Sequence, residues 1–224
     1  MSIDHEIVGY DQSFEAESTA IGGESSYDQY VRNMAAVNLK NITPSQVASI
    51  IDPFLVKWGW MSRSLHRNDR EGWDNVLAIQ IQFHESFLSE APNLELADED
   101  LKPNRWIIEA CFGSFRSAIG PISAAKTLHL IAPTYFPAWD TEIAELAHRF
   151  PRSAAGLVSG PRKSSRAYYG YVQQVQNFLQ TYQAVWDKLA NEFQRTNLKM
   201  IDAYLWQNQR RDAWFDMRTA EGRS

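Results

Sequence analysis

Apolar side chains recur along this chain at spacings of three and four residues, and no stretch combines a period of two with the β-branched composition of a strand. That periodicity restricts the fold to packed helices. Thr43-Pro44 reads as a cap followed by proline at the first helical position, and Val47, Ile50, Ile51, Phe54, Leu55 and Trp58 then form one stripe. Trp73, Val76, Leu77, Ile81, His84 and Leu88 repeat it, with His84 expected to be structural, as do Ile107, Ala110, Cys111, Phe115 and Ala118. The longest stripe runs from Tyr168 through Tyr171, Val172, Val175, Leu179, Tyr182, Trp186 and Leu189 to Phe193, and Leu198, Ile201 and Leu205 predict a short closing helix. The expected fold is all-α, a helical bundle formed by residues 25–224 as one domain. Residues 1–24, polar, acidic and without period, read as a disordered tail.

Charge is distributed unevenly. The whole chain carries −5, but residues 1–30 hold seven acids and no Lys or Arg, which leaves 22 bases against 20 acids in the remainder. The helical body is therefore slightly basic and compatible with an anionic partner. One cysteine excludes an intramolecular disulfide and any cysteine-only metal or iron–sulfur cage, and no paired-histidine or clustered-carboxylate spacing suggests a metal. No cofactor and no metal are expected. No run approaches the roughly 18 apolar residues of a membrane span, and the acidic N-terminus does not resemble a secretory signal. A cytoplasmic protein with no membrane association is expected, with a monomer favoured.

The segment richest in chemistry is 119–150. Residues 122–131 predict a short helix ended by Pro133, and after the loop 134–139 a second helix begins at about Asp140. Lys126-Thr127-Leu128 and Phe136-Pro137-Ala138-Trp139-Asp140-Thr141 together resemble the helix-hairpin-helix DNA glycosylase superfamily. In that family a lysine-threonine-alanine-like sequence opens the second hairpin helix, and a proline-valine-aspartate stretch brings in the catalytic carboxylate. The resemblance covers about 30 residues, and the family's glycines two and four residues before the lysine are Ala124 and Ile122 here, with Gly120-Pro121 just upstream. It implies Asp140 as the catalytic carboxylate, Lys126 as the amine that attacks the sugar in bifunctional members, and duplex DNA with a damaged or modified base as the partner.

The chemistry suits those residue types. Cleaving an N-glycosidic bond develops oxocarbenium charge, which a nearby carboxylate stabilises, and a helix N-terminus keeps that carboxylate ionised. A lysine forms a Schiff base with the opened sugar once desolvation frees its amine. Arg149, Arg152, Arg162, Lys163 and Arg166 give residues 149–166 a charge of +5 with no acid, suited to backbone phosphates, and His129 is a further candidate phosphate or sugar contact. Trp139, Tyr168, Tyr169 and Trp60 are candidate walls for an extruded base. The expected function is base excision, in repair or in defence against hypermodified phage DNA. Two alternatives stay open on these residues: a catalytically silent helical DNA-binding module, and a helical protein-interaction domain.

Overall fold

The computed structural model describes residues 25–59, 72–139 and 164–205. The acidic tail, Trp60, Asp140, Arg149, Arg152, Arg162 and Lys163 lie outside them. Among the described residues there are helices and turns and no strand, in keeping with an all-α fold, and no helix is long and apolar enough to cross a membrane.

Helix α1 (Ser25–Ala35) is followed by a 3-10 turn and by α2 (Pro44–Gly59). The expected cap is present as a reciprocal box. The Thr43 hydroxyl accepts from the Gln46 backbone N–H (3.2 Å), and Gln46 Oε1 accepts from the Thr43 N–H (2.9 Å). Val47, Ile51, Phe54 and Leu55 then face the core. Helices α3 (Trp73–Phe83) and α4 (Glu85–Leu88) divide the second stripe at His84, a structural residue as expected, which is buried with Nε2 3.0 Å from the Ser114 hydroxyl. Val76 departs from its stripe and stands exposed together with Ile79 and Phe83.

Helix α5 (Leu101–Ile119) is the centre of the molecule, packed on α3, on α6 (Pro121–Ile131) and on α7 (Ser165–Thr181), while α6 is also covered by α1 and α2. Only Gly120 separates α5 from α6. Its φ of 84° and ψ of 165° lie where an L side chain is strained, and Pro121 at the first position of α6 supplies the fixed φ of a helix start.

The long stripe of 168–193 is not one straight helix. It bends at Tyr182 (φ −121°, ψ 28°) into α7 and α8 (Gln183–Phe193). Residues eight apart on a straight helix are about 12 Å apart along its axis. With the bend, the rings of Phe178 and Trp186 meet at 5.3 Å, and Tyr204 of the last described helix, α9 (197–205), closes on both. Leu198, Ile201 and Leu205 are buried, so α9 completes the core as its spacing predicts.

Candidate functional site

The loop from Ala132 to Trp139 has no regular secondary structure, yet it is buried at Tyr135, Phe136, Ala138 and Trp139. Buried backbone carbonyls outside a helix need donors from elsewhere. Three consecutive carbonyls find them in ring-bearing side chains. His129 Nδ1 donates to Phe136 O (2.8 Å), Tyr168 Oη to Pro137 O (3.2 Å) and Tyr171 Oη to Ala138 O (2.8 Å). Trp139 follows, its indole stacked on Tyr171 (5.8 Å, 17°) and leaning on Phe112 and Tyr168. Donors from α6 and α7 thus hold the carbonyls of residues 136, 137 and 138. Thr134, at the start of the loop, is fixed by bonding to Leu94 O and Leu96 N–H.

These positions revise several expected roles. Tyr168 is fully buried, stacked on Phe112 (4.2 Å, 10°) and bonded to Pro137, so neither face is open to a base. Tyr169 donates to Leu101 O (3.2 Å), and the Arg105 guanidinium lies 5.2 Å from its ring centroid. It braces the start of α5 instead of lining a base pocket. Trp139 is likewise a core ring. Sequence periodicity could not separate such core rings from a stacking platform, because both place aromatics on one helical stripe. Arg166 alone of the five basic candidates falls among the described residues, exposed in the first turn of α7.

His129 does not reach a phosphate. It is 2% exposed and both ring nitrogens are occupied inside the molecule. Because Phe136 O can only accept, Nδ1 carries the ring proton, and Nε2 accepts from the Tyr27 hydroxyl (2.7 Å). The two rings stack at 5.9 Å. Burial lowers the imidazole to about 4, against smaller opposing effects of the Asp202 carboxylate and the Phe136 carbonyl, so the ring is neutral at physiological pH. Burial, with the Asp202 and Asp28 carboxylates, also holds the Tyr27 phenol protonated well above its ordinary range.

Lys126, one turn before His129 on α6, is half-buried, and its charge acts on both His129 and Asp202. Lys199 Nζ is 2.8 Å from Asp202 Oδ2 and 5.3 Å from the Tyr27 ring centroid, and Arg195 pairs with Asp28 at 2.8 Å. Burial works against the Asp202 anion, but Lys199 beside it, then His129 and Lys126, hold its carboxyl below the usual range. A charged cluster therefore joins α1, α6 and α9, with Lys126 at its edge. Sequence reading treated 198–205 only as a closing stripe and so missed Lys199 and Asp202. Their spacing of three was a visible signal, but one shared by any helix surface.

Cys111 is fully buried, and desolvation pushes its thiol up to about 12.

The depressed His129 pKa has a measurable consequence. Above pH 6.5 the ring is neutral whether folded or unfolded and contributes no pH dependence. Between pH 6.5 and about 4 the unfolded chain takes up the proton that the folded chain refuses, so stability falls on acidification. The loss approaches about 3 kcal/mol by pH 4. In urea unfolding, wild type is expected to lose stability more steeply than His129→Asn over this window, the gap between them narrowing as pH falls. Parallel curves would contradict a buried neutral imidazole.

No protein-family model, curated protein or solved structure matches this chain.

Proposed function

We propose that the protein is a DNA glycosylase-like enzyme that releases a modified base by cleaving its N-glycosidic bond, with Asp140 as the carboxylate and Lys126 as the amine. The observation that supports this reading is the clamping of three successive carbonyls, 136 to 138, in the loop that ends one residue before Asp140. A catalytic carboxylate acts through its position, and chemistry is sensitive to errors of about 0.5 Å, so a rigid approach to one acid is what such a site requires. Lys126 at the edge of a charged cluster, on the helix that follows a one-residue corner at Gly120, supports the same assignment. In this reading the α5–Gly120–α6 corner takes the part of the family hairpin. It is built with one strained glycine, and Ile122 and Ala124 lie inside α6.

In this mechanism Asp140 stabilises positive charge growing on the sugar as the base departs, or activates the water that replaces it. Lys126, when deprotonated, attacks the sugar C1′ as the bond to the base breaks. The base leaves with the electron pair of its bond to C1′ and takes up a proton; the C1′–O4′ bond of the adduct then opens, O4′ becoming a hydroxyl, to give a protonated imine, which hydride reduces to a stable amine. Arg149, Arg152, Arg162, Lys163 and Arg166 serve the phosphates flanking the extruded nucleotide.

The test is incubation with duplexes bearing single oxidised or alkylated bases and with hypermodified phage DNA, scored for abasic sites and for a borohydride-trapped adduct. Abasic product from at least one substrate is expected. Release confined to phage DNA would assign the enzyme to defence, and release from damaged duplexes to repair. Folded protein that leaves every substrate intact would overturn the reading, and salt-dependent binding without product would identify a silent DNA-binding module.

A further inference from the structure

We propose that the outward face of α3 is a self-association surface through which two copies of this chain pair about a two-fold axis. The pairing is independent of the glycosylase reading and replaces the monomer expected from the sequence.

Val76, Ile79 and Phe83 are 43%, 53% and 79% exposed and follow one another at spacings of three and four, so they stand in a row along one side of α3. Leu77, Ala78 and Ile81 bury the other side. Single exposed apolar residues are ordinary, but three on successive turns make a continuous strip of the kind that marks an interaction surface. The largest of them is also held in place. The His84 imidazole meets the Phe83 ring edge-on at 4.9 Å and 84°, and His84 is itself fixed on Ser114. A ring ordered in advance loses little freedom when it is covered.

What surrounds the strip points to its partner. Asn75, Gln80 and Gln82 flank it, and none of the six residues is charged. Asp74, the one charged residue of α3, lies about 140° round the helix from Ile79. Nucleic acid would need cations on this face, and a charged protein partner would need the opposite charge. A two-fold axis sets a surface against itself, so any net charge would meet its own sign, and a neutral strip avoids that repulsion. Amides suit the same arrangement, since each carries both donors and an acceptor and can bond to its own kind. In an antiparallel crossing of two α3 helices centred between residues 79 and 80, Ile79 lies beside the axis. Phe83 of each copy then falls on Val76 of the other, a large ring against a small side chain.

Three side chains supply only the apolar centre of an interface, well below the roughly 800 Å² per partner of a standard complex, so a weak dimer with a Kd of about 10–100 μM is expected. Sedimentation equilibrium of the full chain over about 5 to 500 μM, which brackets that Kd, is expected to show the 25.7 kDa monomer passing to a dimer. Phe83→Lys changes an exposed residue and so preserves the fold. It is expected to raise Kd by at least about 100-fold, because each dimer loses two buried rings. Val76→Glu is expected to weaken association in the same direction. Mixing the two variants tests the register, since a mixed pair sets the introduced amine against the introduced carboxylate at one end and keeps the native contact at the other. The mixture is expected to associate at least about 10-fold more tightly than either variant alone.

A wild-type chain that stays monomeric throughout the range overturns the proposal and leaves the face to another segment of this chain or to a different protein. A dimer that Phe83→Lys leaves intact also overturns it, placing the association elsewhere on the molecule. A mixture no tighter than its components overturns the antiparallel two-fold pairing. Should Val76→Glu fail to fold, the comparison of Phe83→Lys with wild type decides alone.

Discussion

Replacing Asp140 with asparagine is expected to lower the rate of base release by about 10³-fold, equivalent to about 4 kcal/mol of transition-state stabilisation, with thermal unfolding and DNA affinity unchanged. The substitution is chosen for what it keeps. Asparagine caps helix N-termini about as well as aspartate, so an Asp140 that served only as a cap would tolerate the change without loss of release. It fills nearly the same volume but carries no charge to set against a developing oxocarbenium ion. Single-turnover release from a substrate that the wild-type protein cleaves, compared between Asp140→Asn and wild type, measures the effect. Lys126→Gln completes the comparison. If Lys126 forms the covalent adduct, this variant retains base release through water activation by Asp140 but gives no borohydride-trapped product. A trapped adduct in Lys126→Gln would assign the amine to another residue.

Phe112→Ala is expected to cost about 4 kcal/mol of stability, the upper range for truncating a buried aromatic ring, and for a chain of this length to lower Tm by roughly 10 °C. Phe112 is fully buried, stacked on Tyr168 at 4.2 Å and against Trp139 at 5.8 Å. Truncation therefore removes support from the ring that donates to Pro137 O and from the last described residue before the carboxylate. Base release should fall further in Phe112→Ala than in a variant equally destabilised at a distance from the loop. Trp186→Ala serves as that comparison, since Trp186 is also fully buried but packs on Phe178 and Tyr204. Trp106, 71% exposed on α5, supplies the opposite control, its replacement by alanine shifting stability by no more than about 0.5 kcal/mol. Calorimetry of the three variants, with release rates measured well below each Tm, tests the ranking. A Phe112→Ala protein as stable as Trp106→Ala would contradict the packing described for the loop.

The helices were legible in the sequence because their signals are local. The Thr43-Pro44 cap with Gln46 three residues on, the stripe from Val47 to Leu55 and the helix expected at 122–131 each depend on residues within a turn or two of one another, and each is present as α2 or α6. The breaks at His84 and Tyr182 were not legible. Apolar spacing continues through both, and what accompanies each break is long-range, the His84 ring meeting Ser114 at one and Phe178 meeting Trp186 at the other, which periodicity does not encode. The residues proposed for base chemistry, Lys126 and Asp140, stand out by their types and spacing alone. What surrounds them required the tertiary structure. Tyr168 and Tyr171 donate to carbonyls 31 and 33 residues away, and Tyr27 reaches His129 across 102 residues. Hydrogen bonds over such separations follow from how α1, α6 and α7 pack, and a tyrosine on an apolar stripe looks the same in sequence whether its hydroxyl holds a loop or faces solvent. The chain's local chemistry therefore determined the helical fold and nominated Lys126 and Asp140, whereas long-range packing decided that Trp139, Tyr168 and His129 are buried about the loop of residues 132–139 and that Tyr169 braces the start of α5.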